Sequence, residues 1–276
     1  MAKVAILYIG IGKYIDFWHG FYESMERFFL PKSQKDYFVF TDTQSIDYQE
    51  CNNVHKIEQE NLGWPGNTLY RFRMFVTIKE ELEKFDYVFF INANTVCLRE
   101  ICEDEMFHTG EDLIIVRHPG YWNKKAYEFP YERRKKSLAY MAYTEGNLYA
   151  FGAINGGKSK AYIEMIVELS KRIVEDEKNH IIAVWHDESH LNRYVYEKQN
   201  IKILSPLYAY PEDCPLEWDI QGKPKIMLLD KKKYIALPPN KIKTPNKCMV
   251  FINNRKKKIQ IKYWELYYKY VKKQGC

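Results

Sequence analysis

The stretch Tyr87-Val88-Phe89-Phe90-Ile91-Asn92-Ala93-Asn94 decides the reading of this chain. Its run from Tyr87 to Asn92 is the most strand-like in the sequence, and it ends abruptly in Asn-Ala-Asn. In open α/β sheets ligands sit beyond the carboxyl ends of the strands, so a polar-x-polar triplet there points two short side chains into a site. Aspartates at these places would hold a divalent cation against a diphosphate. Asparagines offer neutral amide oxygens, which are poor ligands when nothing else in the pair is charged. Taken alone, the triplet also reads as a plain turn.

Working outward, the first two-thirds of the chain alternate strand-like and helix-like patterns, the mark of an α/β sheet. Val4–Ile9 reads as a buried strand, followed by a Gly10/Gly12 turn and a helix from about Tyr14 to Phe29. Tyr37–Thr41 and Leu113–Val116 read as further strands. Trp64-Pro65-Gly66-Asn67 reads as a loop, with Thr68 capping a helix that runs to Glu83. Ala161–Asp176 is a long amphipathic helix, and Asp187 caps another through Leu191, Tyr194 and Val195. The character changes near residue 222: Pro, Asn and Lys crowd 231–247, Arg255–Lys258 is a basic run, and Ile261–Lys273 is rich in Tyr, Trp and Lys. The expectation is one folded domain over residues 1–235 and a basic aromatic tail over 236–276.

Composition narrows the class. Hydrophobic residues make up 46% of the 276, enough for a sizeable core. An aromatic share of 16%, with 23 Tyr and 6 Trp, suits sugar-stacking surfaces as well as packing. The formal charge of +6 fits an anionic ligand or membrane surface, and ordinary solubility equally well. Six cysteines form no CxxC pair; Cys97 and Cys102 are expected to be buried free thiols. Val4–Ile9 is too short for a signal or spanning segment, and no later run is long enough, so a cytoplasmic location is expected.

A second cluster removes the ambiguity of the first. Trp185-His186-Asp187-Glu188-Ser189-His190 packs two carboxylates, two imidazoles, a hydroxyl and an indole into one helix start. The positive end of a helix favours an ionised carboxylate, as a nucleophile or oxocarbenium stabiliser requires, and Trp185 offers a face to a sugar ring. A helix cap would explain Asp187 but not this density.

Together with other segments, these residues resemble glycosyltransferase family 6, the retaining enzymes that include the histo-blood-group A and B transferases and the α-1,3-galactosyltransferase. The matching stretches begin with Gly12 to Ser24, Tyr37 to Asp42, Trp64-Pro65 with Thr68-Leu69 and Arg71-Phe72, and Phe85 to Asn94. They continue through His118 to Tyr121, Tyr131 to Arg134, Gly156-Gly157, Trp185 to His190, and Leu204-Ser205-Pro206 with Tyr208. The resemblance spans about residues 4 to 235, to a bacterial-type member without the membrane anchor and stem of the animal enzymes.

The resemblance implies a GT-A fold, a Rossmann-like nucleotide-binding sheet fused to an acceptor-binding half. It implies transfer of galactose or N-acetylgalactosamine from UDP-Gal or UDP-GalNAc, in α-1,3 linkage, to a galactose-terminated and fucosylated oligosaccharide or glycolipid. By similarity Ile9, Ile11 and Tyr14 line the uracil pocket, and Arg71 is the donor-side arginine. Asn92 and Asn94 take the metal-binding aspartate positions of the animal enzymes. No divalent metal is therefore expected, and the diphosphate needs positive charge from the protein, first from Lys231 with Lys232 and Lys233 beside it. Glu188 matches the catalytic glutamate, as covalent nucleophile or as stabiliser of an oxocarbenium ion. Asp187 matches a residue that holds donor-sugar hydroxyls. His118, Trp185 and His186 match acceptor-side or sugar-binding positions, and Pro130 stands where the family often has Thr. Donor choice tracks Phe151-Gly152-Ala153, where bulk at the first and third places favours galactose.

Two other classes compete. His186 and His190, four apart on a helix, suggest a zinc hydrolase, although Asp187 stands where the HExxH pattern has Glu and no third ligand is marked. A non-catalytic carbohydrate-binding module would use the aromatic platforms but needs neither a uracil pocket nor Glu188. The tail's aromatic residues among lysines predict weak peripheral contact with an anionic membrane; nothing supports nucleic-acid binding.

Overall fold

The computed structural model describes residues 1–107, 110–214, 220–236, 258 and 261–266. A seven-stranded sheet forms from β1 (Lys3–Ile9), β2 (Gln34–Thr41), β3 (Val54–Glu58), β4 (Tyr87–Ile91), β6 (Leu113–Arg117), β7 (Ala150–Lys158) and β8 (Ile201–Leu204), in the order β3-β2-β1-β4-β7-β6-β8. A small sheet of β5 (Thr95–Cys97), β9 (Tyr210–Pro211) and β10 (Ile226–Leu228) stands beside it, in the order β5-β10-β9. Pairing in the large sheet is parallel except at β7, which runs antiparallel to both β4 and β6. The strand order reverses between β1 and β4, and such a switch point opens a ligand crevice at the carboxyl ends.

The central strands are apolar throughout because helices cover both faces. One face packs Val4, Ile6 and Tyr8 of β1 and Phe89 of β4 against α1 (Trp18–Phe28). The other packs Ala5, Leu7 and Phe90 against α3 (Arg71–Val76) and the long α6 (Ser159–Lys178), joined by Leu191 and Tyr194 of α7 (His186–Tyr196). The remaining helices are short: α2 (Gly63–Leu69), α4 (Lys79–Leu82), α5 (Glu103–Met106) and α8 (Lys231–Tyr234).

Several local expectations change. The helix expected from Tyr14 opens as a 3-10 turn over Gly12–Phe17 before α1 begins. The helix expected from Thr68 to Glu83 is three pieces, α2, α3 and α4, and Thr68 lies inside the first. Asp187 does not cap α7: Trp185 holds the cap position without a side-chain bond, and Asp187 is buried in the first turn. Cys97 is buried as expected, but Cys102 is half-exposed against Glu100. Most of 236–276 lies outside the described residues; within it, Trp264 stacks on Tyr143 with ring centroids 5.3 Å apart. No helix among the described residues is long and apolar enough to cross a membrane.

Candidate active site

The carboxyl edge of the large sheet gathers the chemistry. Between β1 and β2 the turn is held by Thr41, whose hydroxyl donates to Gly10 O at 2.8 Å, and by Asp42, which accepts from Gly12 N at 2.8 Å. Gly12 has φ +56, a conformation open to glycine at little cost. Ile9 ends β1, Ile11 is buried, and Tyr14 follows half-buried in the 3-10 turn. The Lys231 ammonium stands 5.4 Å from the centre of the Tyr14 ring, so two residues expected on the donor side meet. Lys233 is paired instead with Asp213 at 2.8 Å and Glu212 at 3.5 Å.

Asn92 and Asn94 lie directly beyond β4. The Asn92 amide donates to the Asn94 side-chain oxygen at 2.8 Å, and the Asn94 amide donates to Leu229 O at 2.6 Å. Leu229 N returns a bond to Asn94 O at 2.8 Å. This donor set does not fit a divalent cation: neither side chain carries charge, and the Asn94 amide is used at both ends. Its visible work is to pin the segment that carries Lys231.

Asn92 N also donates to Ala153 O at 2.8 Å, which brings the start of β7 against the triplet. One residue earlier, Gly152 N donates to Glu188 Oε2 at 2.7 Å. A side chain at Gly152 would put its Cβ 3.1 Å from that oxygen, so the close approach depends on glycine. Asn192 fastens the same junction from the helix side. Its amide oxygen accepts from Ala150 N at 2.8 Å, and its nitrogen lies 2.9 Å from both Ala150 O and Glu188 O.

Arg71 reaches in from α3. Its guanidinium donates to Gly152 O at 2.6 Å, lies 3.2 Å from Asp187 Oδ2 and covers the Phe90 ring at 4.2 Å. The contact with Asp187 is one of charge, because neither the Arg71 Nε nor Asp187 Oδ2 completes a hydrogen bond. Burial raises the Asp187 carboxyl above its ordinary range, and Arg71 pulls against it. Glu188 is pushed up to about 7, first by burial and then by Asp187, while the Gly152 N–H, Tyr149 and Arg71 pull it down. The expectation that the helix start keeps Glu188 ionised therefore changes: desolvation outweighs the helix end.

The residues expected to meet the acceptor lie on two segments, His118 directly after β6 and Trp185 and His186 at the start of α7. The His118 ring lies 4.2 Å from Phe151 and 5.7 Å from Tyr149, and burial brings its pKa down to about 4. Its Nδ1 accepts from Gly120 N at 3.0 Å. His186 meets Trp64 edge-on at 4.9 Å, and Trp64 and Trp185 are 64% and 48% exposed, leaving faces for a ligand. His190 is instead buried, 3.6 Å from Asp176. The two imidazoles of the zinc reading thus face different neighbours, and no three metal-ligating side chains converge among the described residues.

The strap before α7 is tied from below. Arg134 donates to Ile182 O at 2.5 Å and forks onto Glu132, which accepts from Val184 N at 2.9 Å. These ties hold His186 at φ +52, a left-handed conformation that strains a residue with a Cβ. Sequence reasoning passed over Glu132, Arg134, Tyr149 and Asn192 as individual residues. Asn192 carried a signal, since it sits four residues after Glu188 on one helix face.

Known proteins resemble this chain over most of its length. The model of glycosyltransferase family 6 matches residues 2–236. The O-antigen biosynthesis glycosyltransferase WbnI of Escherichia coli is 38% identical over 230 residues, covering 83% of this chain and 95% of that protein. The human globoside alpha-1,3-N-acetylgalactosaminyltransferase 1 is 31% identical over 222 residues, 77% of this chain and 62% of that protein. The rat histo-blood group ABO system transferase 2 is 28% identical over 250 residues, 86% and 70% respectively. With a family match that takes in every site residue from Ile9 to Lys231, the chain belongs to glycosyltransferase family 6.

Proposed function

We propose that this glycosyltransferase moves galactose from UDP-galactose, with UDP-N-acetylgalactosamine as the competing donor, in α-1,3 linkage onto a galactose-terminated, fucosylated glycan. The anomeric configuration is retained and no divalent cation takes part. The observation that carries the reading is Glu188, held by the Gly152 N–H beside the buried Arg71–Asp187 pair at the sheet's carboxyl edge. A carboxylate so placed serves a retaining reaction in either form: attack on the anomeric carbon as UDP leaves, or support of an oxocarbenium ion while the acceptor oxygen enters on the face UDP vacates. Asp187 and Arg71 position the donor sugar, and His118, Trp185 and His186 receive the acceptor.

Support for the metal-free reading comes from Asn94, whose amide is committed to Asn92 and Leu229, and from Lys231, which stands by Tyr14 to meet the diphosphate charge. Galactose is favoured by bulk, through the Phe151 ring against His118 and the buried Ala153. The name of the human globoside relative supports α-1,3 chemistry, and that of the bacterial relative an O-antigen glycan as acceptor. Weak attachment of the basic tail to anionic membrane would bring the enzyme to a lipid-linked glycan acceptor.

The test is transfer to 2′-fucosyllactose from each UDP-sugar, with EDTA or with Mn²⁺, for the native enzyme and Glu188→Gln. Transfer from UDP-galactose that survives EDTA and collapses in the variant is expected. Loss of transfer in EDTA overturns the metal-free reading, and full activity of Glu188→Gln overturns the role of Glu188. Failure of the chain to bind UDP at all would leave a carbohydrate-binding protein in its place.

A further inference from the structure

Tyr149 is buried to 1% exposure; its hydroxyl completes no hydrogen bond of full geometry, and the one side chain that engages it as a hydrogen-bond partner is the Glu188 carboxyl. A phenol in that state is uncommon, because burying a hydroxyl without a well-formed partner is costly. Its ring is fixed from several sides. Tyr131, Tyr121 and His118 stand 5.5, 5.0 and 5.7 Å away, and Tyr149 O accepts from His118 N at 2.8 Å. The next residue, Ala150, is clipped to α7 by Asn192, and three residues on Gly152 donates to Glu188. The ring is thus locked at the junction that presents Glu188, and the carboxyl acting on its hydroxyl is that of Glu188.

We infer that Tyr149 is a positioning residue for Glu188: its hydroxyl is a second proton donor to that carboxylate beside the Gly152 N–H, and the two donors together aim the carboxylate at the anomeric carbon and favour its charged form against the burial that opposes it. This rests on the proposed role of Glu188. The groups that face Glu188 are Arg71 from α3, Asp187 from its own helix, Tyr121 from the turn after β6, and Tyr149 from the residue before β7. Of these, Arg71 and the phenol of Tyr149 favour the carboxylate, whereas Asp187 opposes it. Burial already keeps Glu188 near neutrality, so loss of one donor moves it through the range in which the enzyme works. His118, brought down to about 4, does not titrate there.

The test is Tyr149→Phe, which keeps the ring and removes only the hydroxyl. Carbon-13 NMR of glutamate-labelled enzyme follows the Glu188 carboxyl through pH, with the resonance assigned by its loss in Glu188→Gln. UDP-galactose hydrolysis is followed over the same range without any acceptor. The Glu188 titration is expected to move up by about one unit, the scale of a hydrogen bond to a charged group, and the acid limb of hydrolysis to move with it. A rate that falls equally at every pH while the carboxyl titrates unchanged is a packing effect and overturns the inference. If Glu188→Gln retains hydrolysis, the reading of Glu188 itself fails. If Glu188→Gln is inactive and the Tyr149→Phe titration is unmoved, only the role of Tyr149 is lost.

Discussion

Glu188 shows how one side chain is set by its surroundings. It sits in the first turn of α7, where the helix end favours negative charge, yet burial and Asp187 raise it to about 7. In the unfolded chain it titrates near 4.5. Between those values the folded state binds the extra proton, so this group's effect on stability worsens as pH rises through that window and then levels off. Glu188→Gln is therefore expected to melt close to the native enzyme at about pH 5 and several degrees above it at about pH 8. A melting difference that is the same at both pH values would remove the buried carboxyl as its cause. Asn94 makes a complementary case. An aspartate there would have no proton to offer Leu229 O, so a metal-ligand side chain and the present clamp exclude each other at that position.

At the scale of elements, the site depends on one joint, between the start of β7 and the first turns of α7. Asn192 spans it with both its oxygen and its nitrogen, serving the Ala150 N–H, the Ala150 carbonyl and the Glu188 carbonyl. Asn192→Leu keeps the volume but leaves the Ala150 N–H and carbonyl without their side-chain partner. The expected loss is about 3 kcal/mol in urea unfolding, together with a fall in kcat larger than any change in UDP affinity. Unchanged stability would mean that β7 and α7 are held by packing alone. The same joint explains Gly152, since any larger residue meets the Glu188 side chain. The Glu132–Arg134 fork, which ties Ile182 and Val184, holds the strained start of the same helix.

Across the whole molecule, Arg71 ties four elements together: it belongs to α3, bonds β7 at Gly152, pairs with Asp187 of α7 and covers Phe90 of β4. Arg71→Met leaves Asp187, 2% exposed, as an uncompensated buried charge, at an expected cost of about 3–5 kcal/mol in chemical denaturation. Adding Asp187→Asn is expected to restore a large part of that loss. A double variant no more stable than the single one would place the cost elsewhere, in the bond to Gly152.

The chain by itself determined the family, the α/β class, the strand β4 with its Asn-Ala-Asn end, and the clustering of Trp185 to His190, because these are local: apolar runs, abrupt polar ends and contiguous motifs survive without a partner. Through the resemblance, and not through spacing, it also singled out Arg71 and Glu188, which the structure brings together at Gly152, and Lys231, which the structure sets against Tyr14. It did not show β7, whose Ala-Phe-Gly-Ala-Ile-Asn-Gly-Gly run carries weak local strand preference and becomes a strand by pairing between β4 and β6. Only the tertiary structure decided that Asp187 is a buried partner of Arg71 instead of a helix cap, that Asn94 clamps the Lys231 segment, and that the buried Tyr149 hydroxyl is turned to Glu188. Those outcomes depend on desolvation and on which backbone groups remain to be satisfied, and both arise only when residues distant in sequence are packed together.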